Sequence, residues 1–321
     1  MTTRRQFVAA AAGSAVLSAH AQAAYPDRPV RFIVPNPPGG PSDIVGRLLS
    51  ENMRATLGQA IVVDNRPGAS GLIGTVAAAN AAADGYTVLV TSRSNHVMAP
   101  LVQKSTQVDP QRDLLPVGLA LRAVGMFATS SQSGLKSLKD FIAYAKANPG
   151  RLNYGSAGIG ATNHIAVEQF KALAGIDLVH APYKGSGPLI TGLMGNEVQL
   201  ALLDFSSAQA GTKAGNIVPL VQTAARRLPA VPDVPTLAEA GFRNYDPSFW
   251  IGLAVPKGTP ADAIARLNKA LNDALGQTRV KAYAQANGWE LVGGAPKVLA
   301  DTVAADLAEM PALIKRLDIK A

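Results

Sequence analysis

Cysteine is absent from the 321 residues. Its absence excludes disulfides, thiolate metal sites, a cysteine nucleophile and a lipobox-type lipid anchor. Histidine is scarce too. Past the first two dozen residues only His96, His164 and His180 remain, none at a metal-binding spacing or beside a marked carboxylate. H-E-x-x-H, Walker A and G-x-S-x-G patterns are missing, so the usual routes to hydrolysis or nucleotide chemistry have no residues to run on. Acidic residues are in deficit, 22 against 30 basic, for a formal charge of +8. The basic residues do not gather, however: the longest clusters are the pairs Arg4-Arg5 and Arg226-Arg227. Without a basic stripe interleaved with aromatics there is no footprint for a phosphate backbone, and nucleic acid is not an expected partner. Hydrophobic residues make up 48% of the chain and charged ones 16%. Both fractions are ordinary for a globular protein and exclude long disorder or collagen-like repeats. The length suits roughly two domains, each able to bury a core.

The start of the chain reads as an address. Arg4 and Arg5 precede an uncharged stretch, Phe7–Ala19, that ends in Ala19-His20-Ala21 and Ala21-Gln22-Ala23. At about 13 residues the apolar run is too short to span a bilayer. A basic start, short apolar middle and small-x-small end make a secretory signal peptide over residues 1–23. The string Thr3-Arg4-Arg5-Gln6-Phe7-Val8 resembles a twin-arginine signal, the alternative being a Sec signal that holds two arginines. Removal of this segment takes away both arginines, and the formal charge of +8 falls to +6. The expected location is the periplasm.

Beyond residue 24, apolar runs alternate with helical patterns. Val30–Val34, Ile61–Val63 and Thr87–Val90 read as buried strands, with helices from about Ile44 to Leu57 and from Ile73 to Ala82. In the first helix Ile44, Val45, Leu48, Leu49 and Met53 share one face. The second half repeats the pattern. Strands are expected at Leu152–Tyr154, Leu178–His180 and Leu200–Leu203, and helices at Phe141–Ala147, Ile165–Leu173 and Leu189–Met194. Such alternation predicts an α/β protein with parallel sheets covered by helices. Phe249–Val255 reads as a long strand. It precedes an amphipathic helix carrying Ile264, Leu267, Leu271 and Leu275, with Thr259 as the expected cap.

Glycines fall at four strand-to-helix turns: 35–43, 65–74, 155–164 and 182–188. Ligands of open α/β sheets bind at the carboxyl ends of strands, and free N–H groups at a helix start hold an anion without Arg or Lys. Ser42, Ser156, Thr162 and Ser186 either donate hydroxyls there or cap the helices. Asp43 either braces its loop or complements the helix dipole. His164 either donates to a ligand or caps, and Asp204 is either a cap or a partner for a ligand's ammonium group. His180 reads as a core histidine. Gly155–Gly160 runs G-x-x-G-x-G, which is not the dinucleotide spacing, and no cofactor is expected.

The chain resembles the Bug-type extracytoplasmic solute receptors of tripartite tricarboxylate transporters. The resemblance rests on Tyr25-Pro26-Asp27-Arg28-Pro29-Val30, the loop at 37–43, Asn65-Arg66-Pro67-Gly68-Ala69 and Asp84-Gly85-Tyr86-Thr87. It continues through Tyr154-Gly155-Ser156, His164, Pro182-Tyr183-Lys184-Gly185, Val234-Pro235-Thr236, Trp250 and Val255–Pro260. It implies a two-lobed, type II periplasmic-binding-protein (Venus-flytrap) fold with two crossing strands. Lobe one is expected at 25–124 plus 248–321 and lobe two at 125–247, with crossings near Val124–Phe127 and Ser248–Gly252.

The same resemblance implies a ligand wall of Asn36, Pro38, Gly39, Gly40, Ser42 and Asp43, then Ser92, Arg93 and Asn95. Ser156, Gly160, Ala161, Thr162, Asn163, His164 and Asp204 complete it from the other lobe. Three positions depart from the family pattern. Asn36 stands where an aromatic is usual, Arg93 adds a charge to a small polar segment, and Ala161 replaces a serine. Facing the cleft, Arg93 favours a second ligand carboxylate. The implied function is non-enzymatic: capture of a small carboxylate (a di- or tricarboxylate, amino acid or aromatic acid) for the membrane subunits of a tripartite transporter. A sensor-linked receptor is the alternative, and an exported hydrolase or isomerase a more distant one.

Overall fold

Two sheets organise residues 25–103 and 108–320, the part of the chain that the computed structural model describes. The signal-peptide reading of 1–23 lies outside these residues. The first sheet begins with β1 (Val30–Val34), α1 (Pro41–Leu57), β2 (Ile61–Asn65), α2 (Leu72–Ala79) and β3 (Thr87–Ser92). These elements form where hydrophobic spacing placed them. In α1 the buried apolar side chains are Val45, Leu49, Met53 and Leu57, one face of a helical repeat, with Ile44 and Leu48 half-buried at its margin. Pro41 opens the helix, and Gly58 closes it in the left-handed conformation that glycine adopts freely.

β4 (Leu114–Ala123) continues the first sheet, and after Val124 alone the chain enters β5 (Gly125–Ser130) of the second. The second sheet then gathers α3 (Leu138–Ala147), β6 (Asn153–Ser156), α4 (Thr162–Ala174), β7 (Val179–Pro182), α5 (Ser186–Met194), β8 (Leu200–Asp204), α6 (Phe205–Lys213) and β9 (Ile217–Gln222). A segment over 223–248 leads back to β10 (Phe249–Pro256) in the first sheet. The chain ends with α7 (Ala261–Gly276), α8 (Thr278–Ala286), β11 (Trp289–Leu291) and α9 (Pro296–Arg316).

Strand order is β11-β4-β10-β3-β1-β2 in the first sheet and β7-β6-β8-β5-β9 in the second. The sheets are mixed, which corrects the expectation of parallel ones. β1, β2 and β3 run parallel, as do β6, β7 and β8, but β10 is antiparallel to β3 and β4, and β5 to β8 and β9. β5 and β10 are the strands that enter each sheet from the other, without a crossover helix to turn them, and the short edge strand β11 is antiparallel to β4 as well. Helix α7 buries Leu267, Leu271 and Leu275, but Pro260 is its N-cap. Thr259 instead donates its hydroxyl to the Pro256 carbonyl at 2.8 Å, so the expected threonine cap is a turn lock.

Each sheet has its own apolar core, one around Phe32, Val88 and Leu253 and one around Phe127, Phe141 and Phe170. Burying each such side chain contributes about 1.5–3 kcal/mol. A third cluster joins the halves. It packs Val97, Met98 and Val102 after β3 against Ile165 of α4, Trp250 of β10 and Leu299, Val303 and Met310 of α9.

Candidate functional site

Where the two sheets face each other lies a cavity of about 60 Å³. The first sheet supplies Asn36, Pro41 and Ser42 from the β1–α1 turn, Ser92, Arg93 and Ser94 after β3, and Phe249, Trp250 and Ile251 from β10. The second supplies Ala157, Ala161, Thr162 and Asn163 after β6, Ser186 at the start of α5, and Asp204 at the end of β8.

Of the helices that begin in this wall, α6 is capped by the Asp204 side chain and three others have no side-chain cap. The N-caps of α1, α4 and α5 are Gly40, Ala161 and Gly185, which make no capping hydrogen bond. The first N–H groups of a helix have no intrahelical acceptor. Here no side chain supplies one either, and the positive ends of three helix dipoles meet on one small space. Since other residues hold the cap positions, Ser42, Thr162 and Ser186 are not caps, and they line the cavity as further donors. The turn after β3 is a π-helical one, Ser94–Met98, braced by Asn95. The Asn95 side-chain oxygen accepts from the Ser92 N–H (2.8 Å) and hydroxyl (2.6 Å), while its nitrogen donates to Thr75.

Asp43 braces its loop. Its carboxylate accepts from the Gly39 N–H (3.0 Å), Asn65 (2.8 Å) and Arg47 (3.0 Å). Burial alone raises its pKa, but these hydrogen bonds and the Arg47 charge outweigh that and hold it below the usual carboxylate range. Pro38 and Gly39 sit on the exposed outer side of the turn. Gly160 packs on Ala99 and Val102.

Ser156 and His164 belong to a stack beneath the site. The His164 and His180 rings lie 4.1 Å apart and nearly parallel, with Tyr154 4.7 Å beyond His180. His164 Nδ1 accepts from the Gly160 N–H at 3.1 Å, and Ser156 Oγ bonds His180 Nε2 at 2.7 Å. Burial, helped by the nearby Lys171 charge, pushes both histidines down to about 4, so they are neutral at pH 7. The stack props the β6–α4 turn from behind.

Arg93 and Asp204 are both buried in the wall. Arg93 pairs with Asp306 of α9 at 2.8 Å and donates to the Ser248 carbonyl at 3.1 Å. The second Asp306 oxygen accepts from the Trp250 indole at 2.8 Å. Arg93 lines the cavity, but its guanidinium is turned to Asp306 and Ser248 and its charge is already matched, which removes the argument for a second ligand carboxylate. Asp204 caps α6 through one oxygen, which accepts from Ser206, while its other oxygen makes no hydrogen bond. Burial pushes this carboxyl up to about 6, against the opposing pull of its Ser206, Ser207 and Trp289 neighbours.

Residues 45–319 match the family described as Tripartite tricarboxylate transporter family receptor. This chain belongs to that family. BugT of Bordetella pertussis is 36% identical over 84% of this chain and 82% of its own length. Among solved structures, the periplasmic binding protein BugD is 30% identical at a TM-score of 0.87, over 92% of this chain and 99% of that one. A Rhodopseudomonas palustris protein with adipate is 32% identical at 0.89, again over 92% and 99%. MatC of the same species, with bound malate, is 31% identical at 0.85, over 90% and 100%. The two-lobed fold of this receptor family is therefore the fold of this chain.

Of the wall expected from sequence, Asn36, Ser42, Ser92, Arg93, Ala161, Thr162, Asn163 and Asp204 line the cavity. Pro38, Gly39, Gly40, Asp43, Asn95, Ser156, Gly160 and His164 stand behind or beside it. Pro41, Ser94 and Ala157, in segments already expected to face the ligand, line it too, whereas Phe249, Trp250 and Ile251 of β10 were not anticipated as lining. The start of β10 carries the signal for these three: a strand that crosses between lobes exposes its first residues to the space between them.

Proposed function

We propose that the chain is a periplasmic receptor that captures one small organic acid between its lobes and presents it to membrane subunits of a tripartite tricarboxylate-type transporter. The observation that carries this reading is the meeting of three uncapped helix starts on one cavity between the two sheets. Such an arrangement solvates a carboxylate with backbone N–H groups and three dipole ends, without needing a free cation. That the R. palustris relatives hold adipate and malate supports the same class of ligand here.

The lobes in this reading are 25–124 plus 248–321 and 125–247, and they hinge on Val124 and on the start of β10. Contacts across the cleft then describe the closed form. The Ser70 hydroxyl and the Gln103 amide both donate to the Ile159 carbonyl at 2.7 Å. Ligand binding and hinge closure are coupled, because the acid's own hydrogen bonds bridge the lobes. Release is to the membrane partner with the acid unchanged. Residues 1–23 act as the export signal.

A thermal-shift screen of the protein, stripped of bound ligand by unfolding and refolding, tests this. The panel holds mono-, di- and tricarboxylates, amino acids and aromatic acids. A ligand at 100 times its Kd adds about 2.7 kcal/mol of stability. A selective rise in midpoint with one acid, recovered chemically intact, is expected. No shift with any acid contradicts the reading, as does turnover.

A further inference from the structure

Ile159, in the β6–α4 turn of the second sheet's half, is seated in the first. Its side chain packs onto the cluster built from Val97, Met98 and Val102. Its carbonyl accepts two hydrogen bonds there, from the Ser70 hydroxyl and the Gln103 amide, both at 2.7 Å. Gly158 and Gly160 flank it at φ +139° and +79°, a backbone that L side chains rarely adopt, and this lets the turn press against its socket. A Cβ on Gly158 would lie 2.7 Å from the Ser70 hydroxyl oxygen, and one on Gly160 3.2 Å from Ala99 Cα. The socket is braced on its own side. Ala69 and Ser70 stand in succession in the left-handed region, at φ +47° and +53°, and the Ser94 hydroxyl donates to the Ser70 carbonyl at 3.3 Å. Strain of this kind in non-glycine residues persists only where the surroundings over-determine it. Ser70, Gln103 and Ile159 do not line the small cavity. They border a wider space of about 580 Å³ between the sheets, which adjoins the cavity at Asn36 and Ala157.

We infer that Ile159 is a latch, whose docking on Ser70 and Gln103 sets how long the closed lobes hold the acid without touching it. The inference rests on the closing-receptor reading and adds a kinetic determinant to it. Opening exchanges both donors for water and uncovers the Ile159 side chain, so the latch acts on the open–closed equilibrium alone. An acid entering the open form has no latch to pass. Loss of the latch therefore speeds release, leaves entry unchanged and does so by the same factor for every acid. The two donors also share one acceptor. With one removed the carbonyl remains satisfied, and with both removed it has nothing, so the two losses are coupled.

Stopped-flow kinetics of the stripped protein test the inference, with Trp250 in the cavity wall as the fluorescent reporter. The probes are malate, adipate and whichever further panel acids raise the thermal midpoint. Ser70→Ala and Gln103→Ala are each expected to raise the release rate about two- to threefold, and the double variant at least about twentyfold, beyond the product of the two. Ile159→Ala is expected to raise it about tenfold and Ile159→Val to stay within about twofold. Association rates are expected to stay within about twofold throughout. The chain has no cysteine, so Ser70→Cys with Gly158→Cys adds a reversible lock. The Cβ separation at this pair is 3.9 Å, within the range of a disulfide. Protein loaded before oxidation and then crosslinked is expected to release its acid at least about a hundredfold more slowly, with recovery on reduction. Unchanged release in the double Ala variant, or through the crosslink, overturns the latch and leaves the receptor reading standing. Factors that differ between acids, or that fall on association, also overturn it, because the residues then act on the acid itself. Failure of every acid to bind the unmodified protein overturns both.

Discussion

Ser156 and Thr162 are both buried hydroxyls in one turn, and the structure gives them different work. Ser156 is bonded to His180, whereas Thr162 lines the cavity in the uncapped first turn of α4. Thr162→Val keeps the shape and removes a donor, so acid binding is expected to weaken about tenfold with little change in unfolding midpoint. Ser156→Ala is expected to lower stability by about 1 kcal/mol in urea and to leave affinity within about twofold. The reverse pattern, measured by calorimetry and urea melts, contradicts this assignment. Sequence reading could place both residues in the turn, but not tell which way each hydroxyl pointed. That depends on His180, which arrives from the neighbouring strand β7.

The histidines also set a pH dependence. His96, His164 and His180 are held down to about 4 chiefly by burial, with Asp109 opposing at His96 and Glu168 opposing at His180. An unfolded histidine titrates near 6.5. Between those values the unfolded chain binds more protons, so stability falls as pH falls through that window. Asp204 acts oppositely, since its folded carboxyl titrates near 6 and acid favours the folded form there. Three histidines outweigh one carboxyl, and the thermal midpoint is expected to drop between about pH 6.5 and pH 4.5. The lowered carboxyls Asp43 and Asp273 begin to lose their contribution only below the normal carboxylate range. A midpoint that is flat over the window and falls only under pH 4 contradicts the histidine account.

At the scale of elements, α9 reaches into the site through Asp306. This carboxylate holds Arg93 of the cavity wall and Trp250 of the crossing strand, with only 10% of the arginine side chain and 12% of its own exposed. Asp306→Asn leaves a buried cation unmatched and is expected to cost about 3 kcal/mol in urea unfolding. A loss under about 0.5 kcal/mol shows that water or another group serves Arg93 instead. No sequence signal linked these residues, because the pair joins the turn after β3 to the C-terminal helix. Most strands and helices were legible from local spacing, as in β1, α1 and α7. Strand direction was not, because parallel and antiparallel partners bury the same apolar residues. A crossing near Val124–Phe127 was expected only from the family resemblance, because local spacing does not divide β4 from β5: Leu114–Phe127 runs on with Arg122 as its one charge and only Val124 between the strands.

Across the whole molecule, the proposed closure depends on small residues where the two turns meet. A Cβ on Gly185, whose φ is +112°, lies 2.8 Å from Pro37 Cγ of the opposite turn. Gly185→Ala is expected to hold the cleft ajar and weaken acid binding by at least about tenfold, beyond a local strain of about 1–3 kcal/mol. Gly187→Ala in the same turn, with open space around its Cβ, is expected to bind normally. Equal affinity for the two variants contradicts closure through this contact. The glycine turns themselves were legible as candidate anion sites. Their meeting on one cavity is a property of how the two sheets face each other, which no local pattern encodes.

The most direct measurement is a calorimetric titration of the stripped protein with the acid selected by the thermal screen, repeated over a range of temperatures. Enclosure of the acid between two lobes predicts one saturable site per chain and a negative heat-capacity change, since closure buries apolar surface. The absence of saturable binding for every acid, or saturable binding without a heat-capacity change, contradicts capture in a closing cleft.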